Sequence, residues 1–156
     1  MYYLVVVTTM LILPALSIVV DARGFGTPLD LLLVGKWFTF WAVGVRLSLA
    51  GLRQIIQPGY TARVVLGLKG TESLVLVREL GFANLAIGSI GLLSLALPQW
   101  TPAAALAGGI FYVLAGLNHV FQARRNRLEN IAMISDLIAS AVLLSAVIAV
   151  GLQDRG

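Results

Sequence analysis

Long runs of apolar residues, separated by short polar segments, dominate the chain. A helix that crosses a bilayer needs about 20 mostly apolar residues, at a rise of about 1.5 Å each. Five segments meet this requirement, so the pattern predicts an all-α fold, a polytopic membrane helix bundle that forms a single domain over residues 1–156. The predicted spans are residues 2–20, 29–56, 74–97, 102–122 and 131–152.

Residues that favour helix ends support several of these boundaries. The polar run 71–73, TES, precedes the third apolar segment and is typical of a helix start. Pro98 should end that span, and Pro102 lies where a first-turn proline belongs. The longer linker 57–70 leaves open whether residues 60–68 form a short helix on the membrane surface.

The first span has a rival interpretation as a signal peptide. A signal peptide needs a basic start and a cleavage site made of small residues. The chain instead begins MYY, and Ser17 is followed by IVVD, which is a poor cleavage site. We therefore expect a retained span, and a bundle of four helices if it were cleaved.

The composition excludes several classes of protein. Charged residues make up 12% of the chain, against about 25% in soluble domains, while 59% is apolar. An ordinary soluble enzyme, a disordered chain and a basic nucleic-acid-binding domain are thereby excluded. The chain has no cysteine and one histidine, which removes thiolate sites and multi-histidine metal centres. Walker, nucleotide-binding glycine, nucleophile-elbow and zincin motifs are absent, so we expect no metal site and no catalytic residue.

The distribution of basic residues predicts an orientation. Seven lie on the side of the two linkers that follow the second and fourth spans: Arg53, Arg63, Lys69, Arg78, Arg124, Arg125 and Arg127. Three lie on the other side: Arg23, Lys36 and Arg155. Because basic residues concentrate in cytoplasmic loops, we expect a cytoplasmic N-terminus and a C-terminus on the outer side.

Arg46 is a basic residue within the second span. It lies seven residues before Arg53, and so about 10 Å deeper in the membrane. On a regular helix it shares a small and polar face with Thr39, Ala42, Ala50, Arg53 and Gln57, opposite Leu47 and Leu52. Charge at this depth is costly and usually has a partner. Arg46 therefore marks either a structural ion pair or a site for an anion, a lipid headgroup or a quinone oxygen.

Two acidic residues are candidate partners of Arg46. Asp136 lies about five residues inside the fifth span, at a similar depth, and is the preferred partner. It could also act as a protonatable relay group. Glu79 is the second choice, because it lies in the first two turns of the third span, where the helix dipole favours an anion.

Small residues recur at helical spacing in the third and fourth spans. One face of the third carries Gly81, Asn84, Gly88 and Gly91, and one face of the fourth carries Gly108, Tyr112, Gly116 and His119. Such faces allow close packing of membrane helices, with Asn84 bonding between helices. His119 is either a hydrogen-bonded interfacial residue or a proton-handling group, and Tyr112 could share its pocket.

The polar residues of the spans fall at one level. Arg46, Asn84, His119 and Asp136 lie within about 5–12 Å of the predicted cytoplasmic surface, whereas the outer halves of the last three spans are almost wholly apolar. This argues against a channel and for a one-sided pocket or an internal polar clamp. The candidate cluster comprises Arg46, Glu79, Asn84, Tyr112, His119 and Asp136.

A local motif resembles a known family. The segment RELGFANL at residues 78–85, followed by Gly88, is similar to a signature of an uncharacterised family of small bacterial membrane proteins. Further features of the chain also resemble this family: QP at 57–58, TA at 61–62, His119 and Asp136. The resemblance implies a bacterial inner membrane and carries no established reaction. The chain is also loosely similar to the DoxX-like group, which usually has four spans and includes proteins associated with quinone-linked oxidation.

Together these observations favour a non-catalytic membrane protein. We expect it to bind a lipid- or quinone-like molecule or to act as an accessory subunit, with no other cofactor. Its expected partners are membrane lipid and either a second copy or a larger membrane complex, but no nucleic acid. The alternatives are a quinone-linked redox subunit, in which His119 and Arg46 contact the quinone, and a small-solute transporter.

Overall fold

A computed structural model describes residues 2–122 and 127–153. Within these residues there is no β-strand, and five helices are long and apolar enough to cross a membrane. They are α1 Tyr3–Gly24, α2 Leu31–Ile56, α3 Glu72–Leu93, α4 Pro98–Phe121 and α5 Arg127–Gln153. The predicted all-α bundle of five spans is confirmed.

The helix ends follow local chemistry. The Asp30 carboxylate caps α2 by accepting a hydrogen bond from the Leu33 backbone N–H at 2.9 Å. Helix α3 ends at Leu93 instead of residue 97, and Leu97 adopts a φ of −125° and a ψ of 77°. These angles are non-helical because the ring of Pro98 disfavours the helical conformation of the preceding residue. A short 3₁₀ turn, Pro98–Trp100, then leads into the α-helical part of α4.

Two of the five spanning helices contain a widened, π-helical segment. These are Thr8–Ile12 in α1 and Thr39–Arg46 in α2. Their backbone hydrogen bonds run from residue i to i+5, so each holds more residues per turn than an α-helix. An extra residue in a turn rotates the following positions by about 100°, given 3.6 residues per regular turn.

This rotation corrects the predicted face of α2. Thr39 and Ala42 are buried as expected, but downstream of the π segment the buried stripe runs through Leu47, Gly51 and Gln54, one residue later than predicted. Leu47, which was predicted on the opposite side, is 3% exposed and belongs to the core. The predicted positions Ala50 and Arg53 are half-buried at the margin of this stripe, and Gln57 is exposed.

Glycines bring α2 and α3 into close contact. A β-carbon on Gly44 would lie 2.7 Å from the backbone nitrogen of Leu92, and one on Gly88 would lie 2.6 Å from that of Ser48. Gly81 likewise packs against α2. The prediction that the glycine face of the third span forms a helix–helix seam is confirmed.

Helix α4 packs against both α2 and α5. Gly108 contacts the Val43 side chain of α2, and Gly116 contacts Leu137 of α5. The predicted contact of Gly108 is therefore confirmed. Large apolar side chains remain exposed on the outside of the helices, such as Leu114 and Ile148, which suits contact with lipid.

A polar cluster joins α1 to α2 near the Asp30 cap. The buried Asp21 carboxylate accepts hydrogen bonds from Lys36 Nζ at 2.6 Å, from Trp37 Nε1 at 3.0 Å and from the Thr27 hydroxyl. The Lys36 ammonium, which entered the sequence analysis only in the count of basic residues, therefore forms an ion pair.

Candidate functional site

A cavity of about 410 Å³ lies near the end of the bundle where α2 ends and α5 begins. Side chains from all five spanning helices and from a connecting helix, Tyr60–Val65, line it. Five of the six predicted cluster residues are among them: Arg46, Asn84, Tyr112, His119 and Asp136. Glu79 is exposed on α3 and does not line the cavity, although its neighbour Leu80 does.

Arg46 and Asp136 form a buried ion pair at the cavity wall. Arg46 Nη1 lies 2.9 Å from Asp136 Oδ1, and Arg46 Nη2 donates to the Ser135 hydroxyl at 3.5 Å. A weak contact of 3.7 Å joins Arg46 Nη1 to the Met10 sulfur, within the π segment of α1. The preferred pairing of Arg46 with Asp136 is confirmed, and it ties α2 to α5.

Tyr112 connects α4 to the widened part of α2. Its hydroxyl donates a hydrogen bond to the backbone carbonyl of Ala42, which lies inside the π segment. Its ring lies 5.1 Å from the Arg46 guanidinium carbon and forms part of the cavity lining. Tyr112 therefore both holds α4 on α2 and shapes the wall beside Arg46.

Asn84 presents an unmatched polar atom. The residue is 3% exposed, and its Nδ2 donates to Gln54 Oε1 at 2.8 Å. Within the described residues, its Oδ1 has no hydrogen-bond partner. A buried acceptor without a donor costs about 1–3 kcal/mol, so a ligand that donates a hydrogen bond here would be favoured.

Arg53 is a cavity residue that was predicted on the face of Arg46 and included in the charge count, but not in the candidate cluster. Its guanidinium lies over the Tyr60 ring, with Cζ 3.7 Å from the centroid. Its Nε is buried and has no hydrogen-bond partner within the described residues, and none of their carboxylates forms an ion pair with it. The spacing of seven residues from Arg46 was the one available signal, since on a regular helix it places the two residues two turns apart on one face.

His119 lies near the end of α4, as predicted. The ring is half-buried and lines the cavity, and its Nδ1 is 3.2 Å from Gln122 Oε1. Within the described residues, no group of three or more His, Cys, Asp or Glu side chains is arranged to hold a metal ion. Arg124, Arg125 and Arg155, which entered the charge count, lie outside the described residues.

The comparisons with known proteins give one match. The sequence model of DUF6790, a family of unknown function, matches residues 1–153. No curated protein and no solved structure matches the chain. The expected kinship with an uncharacterised family is therefore confirmed at that level, while the relation to DoxX-like proteins stays a prediction.

Proposed function

We propose that this chain, which belongs to the DUF6790 family, is a non-catalytic membrane protein that binds a lipid- or quinone-like molecule in the cavity beside Arg46 and Asp136. The observation that carries the proposal is this cavity, together with two of its lining residues that hold buried, unmatched polar atoms, Asn84 Oδ1 and Arg53 Nε. Buried polar groups in proteins are almost always hydrogen-bonded. A polar group of a ligand would provide the missing hydrogen-bond partners.

The size and lining of the cavity suit such a molecule. Its volume of about 410 Å³ falls within the range of about 300–1,000 Å³ that is typical of small-molecule sites. Most lining side chains are apolar, and a few polar groups are placed among them, which is the usual composition of a ligand pocket. Leu49 and Leu80 line the cavity and are also exposed on the outside of the bundle. An apolar tail can leave the cavity towards lipid there.

The rigid part of the site supports binding rather than turnover. The Arg46–Asp136 pair and the Tyr112 bond to Ala42 fix three helices around the cavity. Both charges of the pair are already compensated, so they orient and enclose a polar group without supplying a free acid or base. This arrangement favours a receptor or an accessory subunit, which would work with membrane lipid, a second copy or a larger complex.

The location completes the proposal. We place the protein in a bacterial inner membrane, because the motif RELGFANL resembles a bacterial membrane family. The excess of basic residues after the second and fourth spans would place the cavity on the cytoplasmic side.

Identification of the molecules that co-purify with the protein tests the proposal. The protein would be extracted in mild detergent, and its bound molecules would be identified by mass spectrometry. We expect one amphipathic species in near-equal proportion to protein. In Ala115→Phe, the added ring enters the cavity and should displace it, since Ala115 is part of the lining.

Ala103→Phe is the matched control, because Ala103 is exposed on the same helix. It should retain the molecule. Equal retention by both variants would contradict the proposed site. A co-purified quinone would direct further work to the redox-subunit alternative, and solute flux in proteoliposomes would favour a transporter instead.

A further inference from the structure

The charges around the cavity do not balance. Two guanidinium groups and one carboxylate line it: Arg46, Arg53 and Asp136. The first and the last form an ion pair of 2.9 Å, whereas no carboxylate of the described residues pairs with Arg53. Resting on the function proposed above, we infer that the ligand is an amphipathic anion whose carboxylate or phosphate group binds Arg53.

The geometry of Arg53 suits an anion. The stacking on Tyr60, with Cζ 3.7 Å from the ring centroid, occupies one face of the guanidinium. Its N–H groups lie in the plane of the guanidinium and remain directed sideways. The Nε, which is buried and unmatched, is one of these donors. A planar fork of this kind matches the two oxygens of a carboxylate or a phosphate.

The position of Arg53 along α2 suits an amphipathic ligand. The residue lies one turn before the helix end at Ile56, and about 10 Å nearer that end than Arg46. An anionic group bound there would stay near the membrane boundary, where charge is least costly. The apolar walls of the cavity then cover the rest of the molecule.

A second contact narrows the ligand chemistry further. Gln54, which follows Arg53 in the chain, accepts the hydrogen bond of the Asn84 amide. Asn84 lines the same cavity as Arg53, and its Oδ1 requires a donor. An anion that carries a neighbouring hydroxyl group meets both demands. Such a group occurs in a glycerol-phosphate lipid headgroup and in a hydroxylated fatty acid.

Three probes with the same acyl chain test this inference in the wild-type protein. They are oleoyl-lysophosphatidylglycerol, 2-hydroxyoleate and monooleoylglycerol, and their dissociation constants would be measured by native mass spectrometry in detergent. The first two are anions with a hydroxyl group, and the third is neutral. We expect the tighter-binding anion to have a dissociation constant about tenfold lower than that of the neutral probe. One hydrogen bond to a charged group provides a difference of this size.

Which anion binds more tightly separates the two sources. Preference for the lysophospholipid points to a lipid headgroup, and preference for the hydroxy acid points to a free fatty acid; both support the inference. Monooleoylglycerol binding as tightly as either anion would overturn it. This comparison uses the wild-type chain and does not depend on the folding of a variant.

Two arginine variants assign the preference to a residue. Arg53→Gln removes the charge and should lose the tenfold preference while it keeps the affinity for monooleoylglycerol. Arg63→Gln is the matched control, because Arg63 is exposed on the connecting helix and does not line the cavity. A preference that persists in Arg53→Gln would refute the role of Arg53.

The same measurements distinguish this inference from the proposed function. Suppose that monooleoylglycerol binds, that Ala115→Phe abolishes its binding, and that no anion preference exists. The inference then fails, while the proposed binding function stands. If no probe binds and no molecule co-purifies, both fail.

Discussion

The Arg46–Asp136 pair places two opposite charges where both are largely shielded from water. Arg46 is 9% exposed and Asp136 is 5% exposed. Removing an ion from water costs several kcal/mol even after the protein relaxes, and the partner charge with its hydrogen bonds offsets this cost. Each charge is therefore tolerated in the bundle because the other is present.

Loss of one partner should destabilise the protein strongly. We expect Arg46→Ala to lower the free energy of unfolding by about 3–5 kcal/mol, because it leaves a buried carboxylate uncompensated. The double variant Arg46→Leu with Asp136→Leu should recover most of this loss, since no unpaired charge remains. Unfolding of the purified protein in detergent, followed by circular dichroism, measures both changes.

Lys36→Ala provides the comparison within the same chain. Lys36 also pairs with a buried acid, but its side chain is 44% exposed, and Asp21 keeps hydrogen bonds from Trp37 and Thr27. Its loss should therefore be clearly smaller. A double variant no more stable than Arg46→Ala would contradict the ion-pair account. A double variant that folds but carries no bound molecule would show that the pair also frames the ligand site.

Depth along a helix could be predicted for single residues, but direction around it could not. Counting residues from the span ends placed Arg46, His119 and Asp136 at one level, and all three line one cavity. Both Glu79 and Asn84 of the third span were predicted in the candidate cluster, yet Glu79 is exposed and Asn84 is buried. Which side of α3 faces the bundle depends on its contacts with α2, which the sequence of α3 alone does not contain.

In helix α2, a local irregularity of the backbone makes the face predicted from helical periodicity wrong over the last turns. The predicted polar face holds up to Arg46 and then falls one residue behind, because the π segment Thr39–Arg46 adds to the turn. As a result, Gly51 and Gln54 pack on α3, while Ala50 and Arg53 are left beside the cavity. A widened turn has no fixed sequence signature. Arg53, which was predicted on the face of Arg46 but not in the candidate cluster, lines the cavity from the margin of the shifted stripe.

The α2–α3 seam should not tolerate a side chain at Gly88. A β-carbon there would lie 2.6 Å from the Ser48 backbone nitrogen, and backbone atoms cannot move aside as a flexible side chain can. Since close packing rather than hydrophobicity holds membrane helices together, Gly88→Leu should separate the two helices. We expect little folded protein on size-exclusion chromatography and a lowered melting temperature.

Gly151→Leu is the control for this substitution. Gly151 lies near the end of α5 and has open space around it, so the added side chain meets nothing. The folded yield of this variant should match that of the wild type. A Gly88→Leu protein with the yield and melting temperature of the wild type would show that the seam is looser than the structure indicates.

The number of spans could be predicted because each depends on a local property. A run of about 20 apolar residues identifies a membrane helix whatever its neighbours are. All five predicted runs correspond to helices, with ends that differ by a few residues. The cavity could not be predicted from the sequence in the same way, because it is formed between side chains from the five spanning helices and the connecting helix. Its volume and its opening depend on how these helices cross.

The orientation of the whole molecule is the remaining prediction. An odd number of spans places the two termini on opposite sides of the membrane, and the basic residues after α2 and α4 should stay in the cytoplasm. Alkaline phosphatase fused after Gln153 should therefore be active, because it requires the outer compartment. The same reporter inserted after Gln122 should be inactive, and one inserted after Ala96, between α3 and α4, should be active. An inactive C-terminal fusion together with an active fusion at Gln122 would show that the protein has the opposite orientation in the membrane. The Arg53 site would then draw its ligand from the outer leaflet of the membrane rather than from the cytoplasmic one.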